Sequence, residues 1–550
     1  MKKSKRLLLT LIAISFLLGA FTSRHLFEAI TADDVKKAGK IIGLEMTGPE
    51  IDSLLPGLEE LREDYAANRA TSIPNSVNPA LTFNPKPIGF KADMRSTGAS
   101  FSNPGEIKMP ENKADLAYYS VRELAELLRT QQITSEELTK FYLERLKKYD
   151  PQLKCVITLT EETALAQSRK ADREIKNGNY KGLLHGMPYG AKDLLATKDH
   201  KTTWGAEPFK DQSFDFDATV IEKLDKAGAV LVAKLTLGAL AWGDVWYGGK
   251  TRNPWDVSRG SSGSSAGSAS AVAAGLVPFA IGTETLGSIV SPSTECGTTG
   301  LRPTFGRVSR HGAMALSWSM DKIGPICRTV EDCAIVLAAI AGPDGKDASV
   351  TDIPFNYNPS LSFNRGIKIG YLKSAFEEDH PTREQDQQVL TMLRAMGYKL
   401  IPIELPETPD IRFILEAEAA AAFDELTRNG KDDELVRQIK NAWPNVFRKA
   451  RFIPAVEYIQ ANRLRSQLIE EMDEALKEVD VFVHPSFTSL GLTNLTGHPC
   501  LVLPSGFKDG RPTSISFTGK LYDEGTLLAV AKAYQDRTEH HKQHPELKEE

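Results

Sequence analysis

SRGSSGSSAGSASAVAAG, residues 258–275, is the stretch on which the reading of this chain turns. Its first half has the composition of a Gly/Ser spacer, a flexible coil with nothing to bury. Its second half runs directly into AVAAGLVPFAIG, an apolar stretch that belongs in a core. The stretch is therefore either a linker or part of an active site. Residues 263–267, GSSAG, also match G-x-S-x-G, the strand-turn-helix elbow that would make Ser265 a nucleophile. The residues ahead of the match, NPWDVSRGSS, are turn formers and not the buried strand an elbow needs, so the match reads as incidental.

The surrounding chain has the composition of an ordinary globular protein. Its 550 residues are 41% hydrophobic and 25% charged, enough to bury a large core. The expectation is one large α/β domain with additions. A net charge of -5 supplies no basic stripe to displace counterions from a phosphate backbone, which argues against nucleic-acid binding. Five cysteines, odd in number and without a C-x-x-C pair, support neither a disulfide framework nor a structural zinc site.

The N-terminus has its own character. MKKSKR is followed by the uncharged run LLLTLIAISFLLGAF, too short for a comfortable membrane span. Residues 1–23 therefore read as a signal peptide, and the protein as exported, periplasmic or secreted. The lack of a clean A-x-A site leaves an uncleaved anchor, a membrane tether through the N-terminus, as the alternative.

Residues 27–110 read as a helical accessory segment with an extended arm. Two helices open at Thr31 and Thr47 with acids in the first turn, and a Pro/Asn-rich stretch follows. Residues 116–540 read as the main domain. SVRE and TSEE are capping boxes, and Leu138, Phe141, Tyr142, Leu146 and Tyr149 lie on one helical face. AVLVA, GIKIGYL, DVFVHPSF and PCLVLPSGF read as buried strands. Residues 382–476 read as largely helical, a surface layer or a lid.

Several motifs fail on inspection. GGKT ends like a phosphate loop, but Asp244 stands where the first glycine must be. Ser319 and Lys322 form an S-x-x-K without its S-D-N and K-T-G companions. Glu539, His540, His541 and His544 cluster in a polar tail, which reads better as solvated chain than as a metal site.

Three further runs carry more: GMPYGAKDLLAT from Gly186, GTETLGSIVSPSTECGTTGLRPTFGRVSR from Gly282, and SMDKIGP from Ser319. Together with the Gly/Ser run, in this order, they closely resemble the amidase signature family, of which peptide amidases and amidotransferase A subunits are members. The resemblance implies a mixed β-sheet sandwiched by helices, no metal and no organic cofactor. It places the catalytic lysine on Lys192, a bridging serine after a cis peptide bond on Ser264, and the serine nucleophile on Ser288, 24 residues further on. Backbone N–H groups of Thr285, Leu286, Gly287 and Ser288 fall on the oxyanion hole, and Ser265 and Gly263 on supporting positions. Cys296 falls where a small packed residue is usual. Where many relatives have Gly-Gly-Ser-Ile-Arg, this chain has Leu286 to Val290, which points to a more apolar pocket beside the nucleophile.

The chemistry of the residues agrees with that assignment. A serine hydroxyl needs a base, and an exposed lysine is neutral in only about one molecule in a few thousand at pH 7. Burial lowers a lysine pKa by up to ~3–5 units, and GMPYGA is an apolar, Gly-rich setting for one. The expected function is an exported amidase acting on a small-molecule amide, as a monomer or homodimer. The alternatives are the glutaminase subunit of a tRNA-dependent amidotransferase and a catalytically silent relative that binds amides.

Overall fold

Short apolar runs rich in Val, Ile and Leu are buried on both faces only inside a sheet that helices cover on both sides. Such runs build the centre of this protein, whose computed structural model describes residues 29–77, 79–361 and 366–547. The expected signal segment, residues 1–23, lies outside the described residues.

Eleven strands form one sheet among the described residues. In chain order they are β1 (Val156–Leu159), β2 (Pro188–Lys192), β3 (Val230–Leu235), β4 (Phe279–Glu284), β5 (Thr299–Arg302), β6 (Lys322–Cys327), β7 (Ile369–Leu372), β8 (Leu400–Ile403), β9 (Val481–Pro485), β10 (Cys500–Lys508) and β11 (Arg511–Gly519). Their spatial order is β1-β3-β2-β4-β6-β5-β10-β11-β9-β7-β8. β2 pairs in parallel with β3 and β4, and β7 with β8 and β9, while the remaining pairs are antiparallel. The sheet is therefore mixed, as expected, and β2, β3 and β6 are buried at every position. β8 is a departure, since it lies inside 382–476, the segment expected to be helical. KLIPIEL has β-branched residues and pairs in register with Ile369–Leu372, and that pairing decides its conformation.

The chain divides into two units, Met1–Ile73 and Pro74–Glu550. The first holds α1 (Ala32–Ile42) and α2 (Gly48–Arg69), each begun by a Thr capping box, at Thr31 and Thr47. In the second, the arm from residue 74 to 110 runs along the body. Asn356 Oδ1 accepts the Thr97 and Gly98 N–H groups, Ser100 N–H donates to Tyr357 O at 2.8 Å, and Phe83 meets Phe305 edge-on at 5.0 Å.

Two short helices fix the site. α3 (Ala266–Ala273) is buried at every residue, its alanines packed with Ala280 of β4 and Val232 of β3. Small residues let it lie close to the sheet: a Cβ on Gly267 would sit 2.5 Å from Thr236 N, and one on Gly282 2.9 Å from Ser265 Oγ. α4 (Val290–Cys296) follows β4 after a short turn. Two further helices, α5 (Phe413–Ala422) and α6 (Ala455–Ala475), reach Ser317 and Ser319 through Glu418 and Arg465.

Candidate active site

Lys192 is the last residue of β2 and is fully buried. Its strand approaches β3 so closely that a Cβ on Gly190 would lie 2.3 Å from Leu235 Cδ1. The Lys192 amine donates to Ser264 Oγ at 2.8 Å, Thr283 Oγ1 at 2.9 Å and Ser265 Oγ at 3.1 Å. All of these partners are neutral. Burial pulls the amine from the usual lysine range down to about 7, against the weaker opposing pull of Asp321 and Glu284. The adjacent carboxylate, Asp193, is turned to Lys234, whose amine lies 2.8 Å from Asp193 Oδ1 with both side chains fully buried. Asp193 Oδ2 also accepts the Thr203 N–H and hydroxyl, so it anchors the end of β2 without charging the site.

The Gly/Ser run is not a spacer. Each of its seven serine hydroxyls has a hydrogen-bond partner. Ser258 donates to Asp256, Ser261 to Ser262 O, Ser268 to Ile281 O and Ser270 to Arg252 O; Ser262 pairs with Ser291, and Ser264 and Ser265 accept from Lys192. The Gly263–Ser264 peptide bond is cis. Gly263 is required by space: a Cβ there would lie 1.9 Å from Gly243 O. Ser265 is held from three sides, accepting from Thr283 N–H and Lys192 and donating to Thr283 O. A hydroxyl so engaged is a support for the lysine, and the strand ahead of it, Asp256–Gly260, is a largely exposed ribbon rather than an elbow's buried strand.

The turn after β4 presents the third group. Glu284 Oε2 accepts the Ile289 and Val290 N–H groups at 2.8 and 3.0 Å, while Oε1 accepts from Arg302 at 2.7 Å and Asn494 at 2.8 Å. Burial alone would raise this carboxyl, but Arg302 and the N–H donors outweigh it and hold it at about 2. The clasp closes residues 285–288 into a tight turn. Gly287 there has φ +84°, a conformation side-chain-bearing residues rarely adopt, and Leu490 packs against it. The N–H groups of Leu286, Gly287 and Ser288 find no acceptor among the described residues. The Ser288 hydroxyl likewise makes no hydrogen bond among them, although Ser265 N–H donates to Ser288 O at 3.1 Å and draws the two loops together. Thr285 Oγ1 donates to Asp321 Oδ1 at 2.6 Å, and Asp321 Oδ2 accepts the Leu316 and Ser317 N–H groups.

A base of lowered pKa, two serines and a turn with open N–H donors form a set able to activate a hydroxyl and hold a developing oxyanion. Thr283, Glu284 with Arg302 and Asn494, and Asp321 are members of this set that the sequence does not single out. Several of them stand inside the motifs GTETLG and SMDKIGP, yet their partners are distant in the chain. Val290 corrects the sequence reading: it is fully buried against Cys500 and Val502, so it does not face an open pocket. Cys296 is buried with its thiol toward Ser261 O. His185 is buried and paired with Glu174 at 2.9 Å, and His544 stacks on Tyr118. Among the described residues, no group of three or more His, Cys, Asp or Glu side chains is placed to hold a metal ion.

Comparison with known proteins gives one consistent result. The family model described as Amidase matches residues 137–491. The A subunit of the glutamyl-tRNA(Gln) amidotransferase from Coxiella burnetii is 33% identical over 481 residues, covering 78% of this chain and 99% of that protein. The structure of the native peptide amidase from Stenotrophomonas maltophilia superposes with a TM-score of 0.68 at 31% identity, over 76% of this chain and 96% of that one. An amidase family protein from Bacillus anthracis str. Ames gives a TM-score of 0.71 at 28% identity, over 79% and 93%.

Proposed function

Because this chain belongs to the amidase signature family, we propose that its hydrolysis of amide C–N bonds runs through an acyl-enzyme on Ser288. Lys192, neutral in about half the molecules near pH 7, takes the proton of Ser264 as Ser264 takes that of Ser288. The Ser288 oxygen bonds to the amide carbon, and the oxyanion that forms rests on the N–H groups of the 285–288 turn. Collapse breaks the C–N bond, and the relay run backwards delivers the proton to the leaving nitrogen. Water then attacks the ester by the same route, releasing the acid and freeing Ser288. The observation that carries this reading is the Lys192 amine, fully buried, free of any carboxylate partner among the described residues and 2.8 Å from Ser264 Oγ. Labelling with a fluorophosphonate and mapping the adduct tests it. An adduct on Ser288 is expected; an adduct on Ser265, or none, refutes the mechanism.

Two finer readings differ in what surrounds this chemistry. The glutaminase-subunit reading has the better support, since a protein of that kind matches along 99% of its own length. The stand-alone amidase reading is favoured by the likeness to the peptide amidase, and its export rests on the N-terminal sequence alone. Ammonia release from glutamine by the isolated chain, set against release from neutral amides, separates the two; cell fractionation tests export.

A further inference from the structure

A pocket borders Thr283, which accepts from the Lys192 amine, and Thr285, the first residue of the open turn. Leu194, Met314, Leu316 and Trp318 give it apolar walls. Its charged neighbours are already engaged. Arg310 pairs with Asp347 at 3.0 Å, Lys346 with Glu222 at 2.9 Å, Asp321 accepts from Thr285, and Lys322 donates to Met320 O, its pKa pushed well down by burial. Two further polar groups of the lining, the indole N–H of Trp318 and Nδ1 of His311, are buried and have no hydrogen-bond partner among the described residues.

One side of this pocket is closed by Asn75 and Ser76 of the arm. Asn75 holds the wall by a two-point clamp: its Nδ2 donates to Ala315 O at 2.9 Å, and Ala315 N–H donates to its Oδ1 at 2.7 Å. The next two residues, Leu316 and Ser317, give their N–H groups to Asp321, which carries the clamp on to Thr285. A second arm residue acts on Ser319, the residue after Trp318 of that wall. The Phe83 ring lies 3.5 Å from the Arg465 guanidinium, which in turn donates to Ser319 Oγ and Ser319 O. Asn75 and Phe83 both precede the segment that matches the family, residues 137–491.

We propose that the arm is part of the amide site. Asn75 is a specificity-determining residue, and the pocket it closes takes the apolar body of a neutral amide rather than a zwitterionic amino acid such as glutamine. The inference rests on the acyl-enzyme reading of Ser288 and cuts between its two finer forms.

The test compares the full chain with its Asn75→Ala and Asn75→Asp variants on 3-phenylpropionamide, acetamide and L-glutamine, with fluorophosphonate titration counting live sites in each preparation. Asn75→Asp keeps the acceptor for Ala315 N–H and loses the donor. Expected are a preference of the unaltered protein for 3-phenylpropionamide over glutamine by at least about ten-fold, and a fall of about ten-fold in the phenylpropionamide-to-acetamide ratio of kcat/KM in Asn75→Ala, expressed in KM. Asn75→Asp is expected to fall between the two. A ratio that stays within about two-fold per live site, or a preference of the unaltered protein for glutamine, overturns the proposal. Failure of Ser288 to take the label in the unaltered protein defeats the acyl-enzyme reading beneath it instead.

Discussion

Replacing Lys192 by methionine is expected to change how stability depends on pH, by an amount the site itself sets. The amine has a pKa of about 7 in the folded protein and the ordinary lysine value when unfolded. Between those values the unfolded chain binds the extra proton, so stability rises with pH across the window from about 7 to about 10.4. Holding the amine in its buried position costs about 4 kcal/mol at pH 7 and about 2 kcal/mol at pH 9. Methionine removes this dependence. It also removes the hydrogen bonds to Ser264, Ser265 and Thr283, but that loss is the same at both pH values once referred to the neutral amine. Urea unfolding followed by intrinsic fluorescence should therefore show the native protein gaining about 2 kcal/mol on the Lys192→Met variant between pH 7 and pH 9. A gap that does not move with pH would mean that the amine keeps its ordinary pKa, and the argument for Lys192 as a base would fall.

Three other outcomes follow from the same geometry. On a neutral amide, kcat/KM should rise about ten-fold per pH unit below about 7 and level off above it, as neutral Lys192 accumulates; an acid optimum would exclude Lys192 as the base. Glu284→Ala strands the buried Arg302 and releases the Ile289 and Val290 N–H groups, so a loss of about 3–5 kcal/mol in denaturant unfolding is expected together with slower labelling of Ser288. Gly263→Ala sets a Cβ against the Gly243 carbonyl, and a loss of at least about 1–3 kcal/mol is expected with a larger fall in kcat than in stability, because the displaced residue carries Ser264.

Four of the eleven strands of the central sheet are legible in the amino-acid sequence. AVLVA and CLVLP read as buried strands because nearly every position is apolar, and burial on both faces leaves no other pattern. The Thr31, Thr47, Ser120 and Thr134 capping boxes are equally plain, since a cap and its acid lie three residues apart. What escapes depends on partners far along the chain. Nothing near Glu284 announces Asn494, nor does anything near Asn75 announce Ala315. Leu400–Ile403 merges into a helical segment because its strand partner, Ile369–Leu372, lies outside that window. Val290 reads as facing the pocket because adjacency to Ser288 is all the sequence offers, whereas the turn of α4 directs it to Cys500 and Val502.

The saturated serines of residues 258–270 also set a rule for engineering. A Gly/Ser stretch is ordinarily the first place to lengthen a chain, splice in a tag or permute the termini, because loop tips tolerate insertion. Here the run works as a ruler. From Ser262 to Ser270 each hydroxyl is matched to a fixed partner on a neighbouring strand, helix or loop. One extra residue would shift all the later serines off their marks together, so this stretch belongs with the core when tolerant sites are chosen.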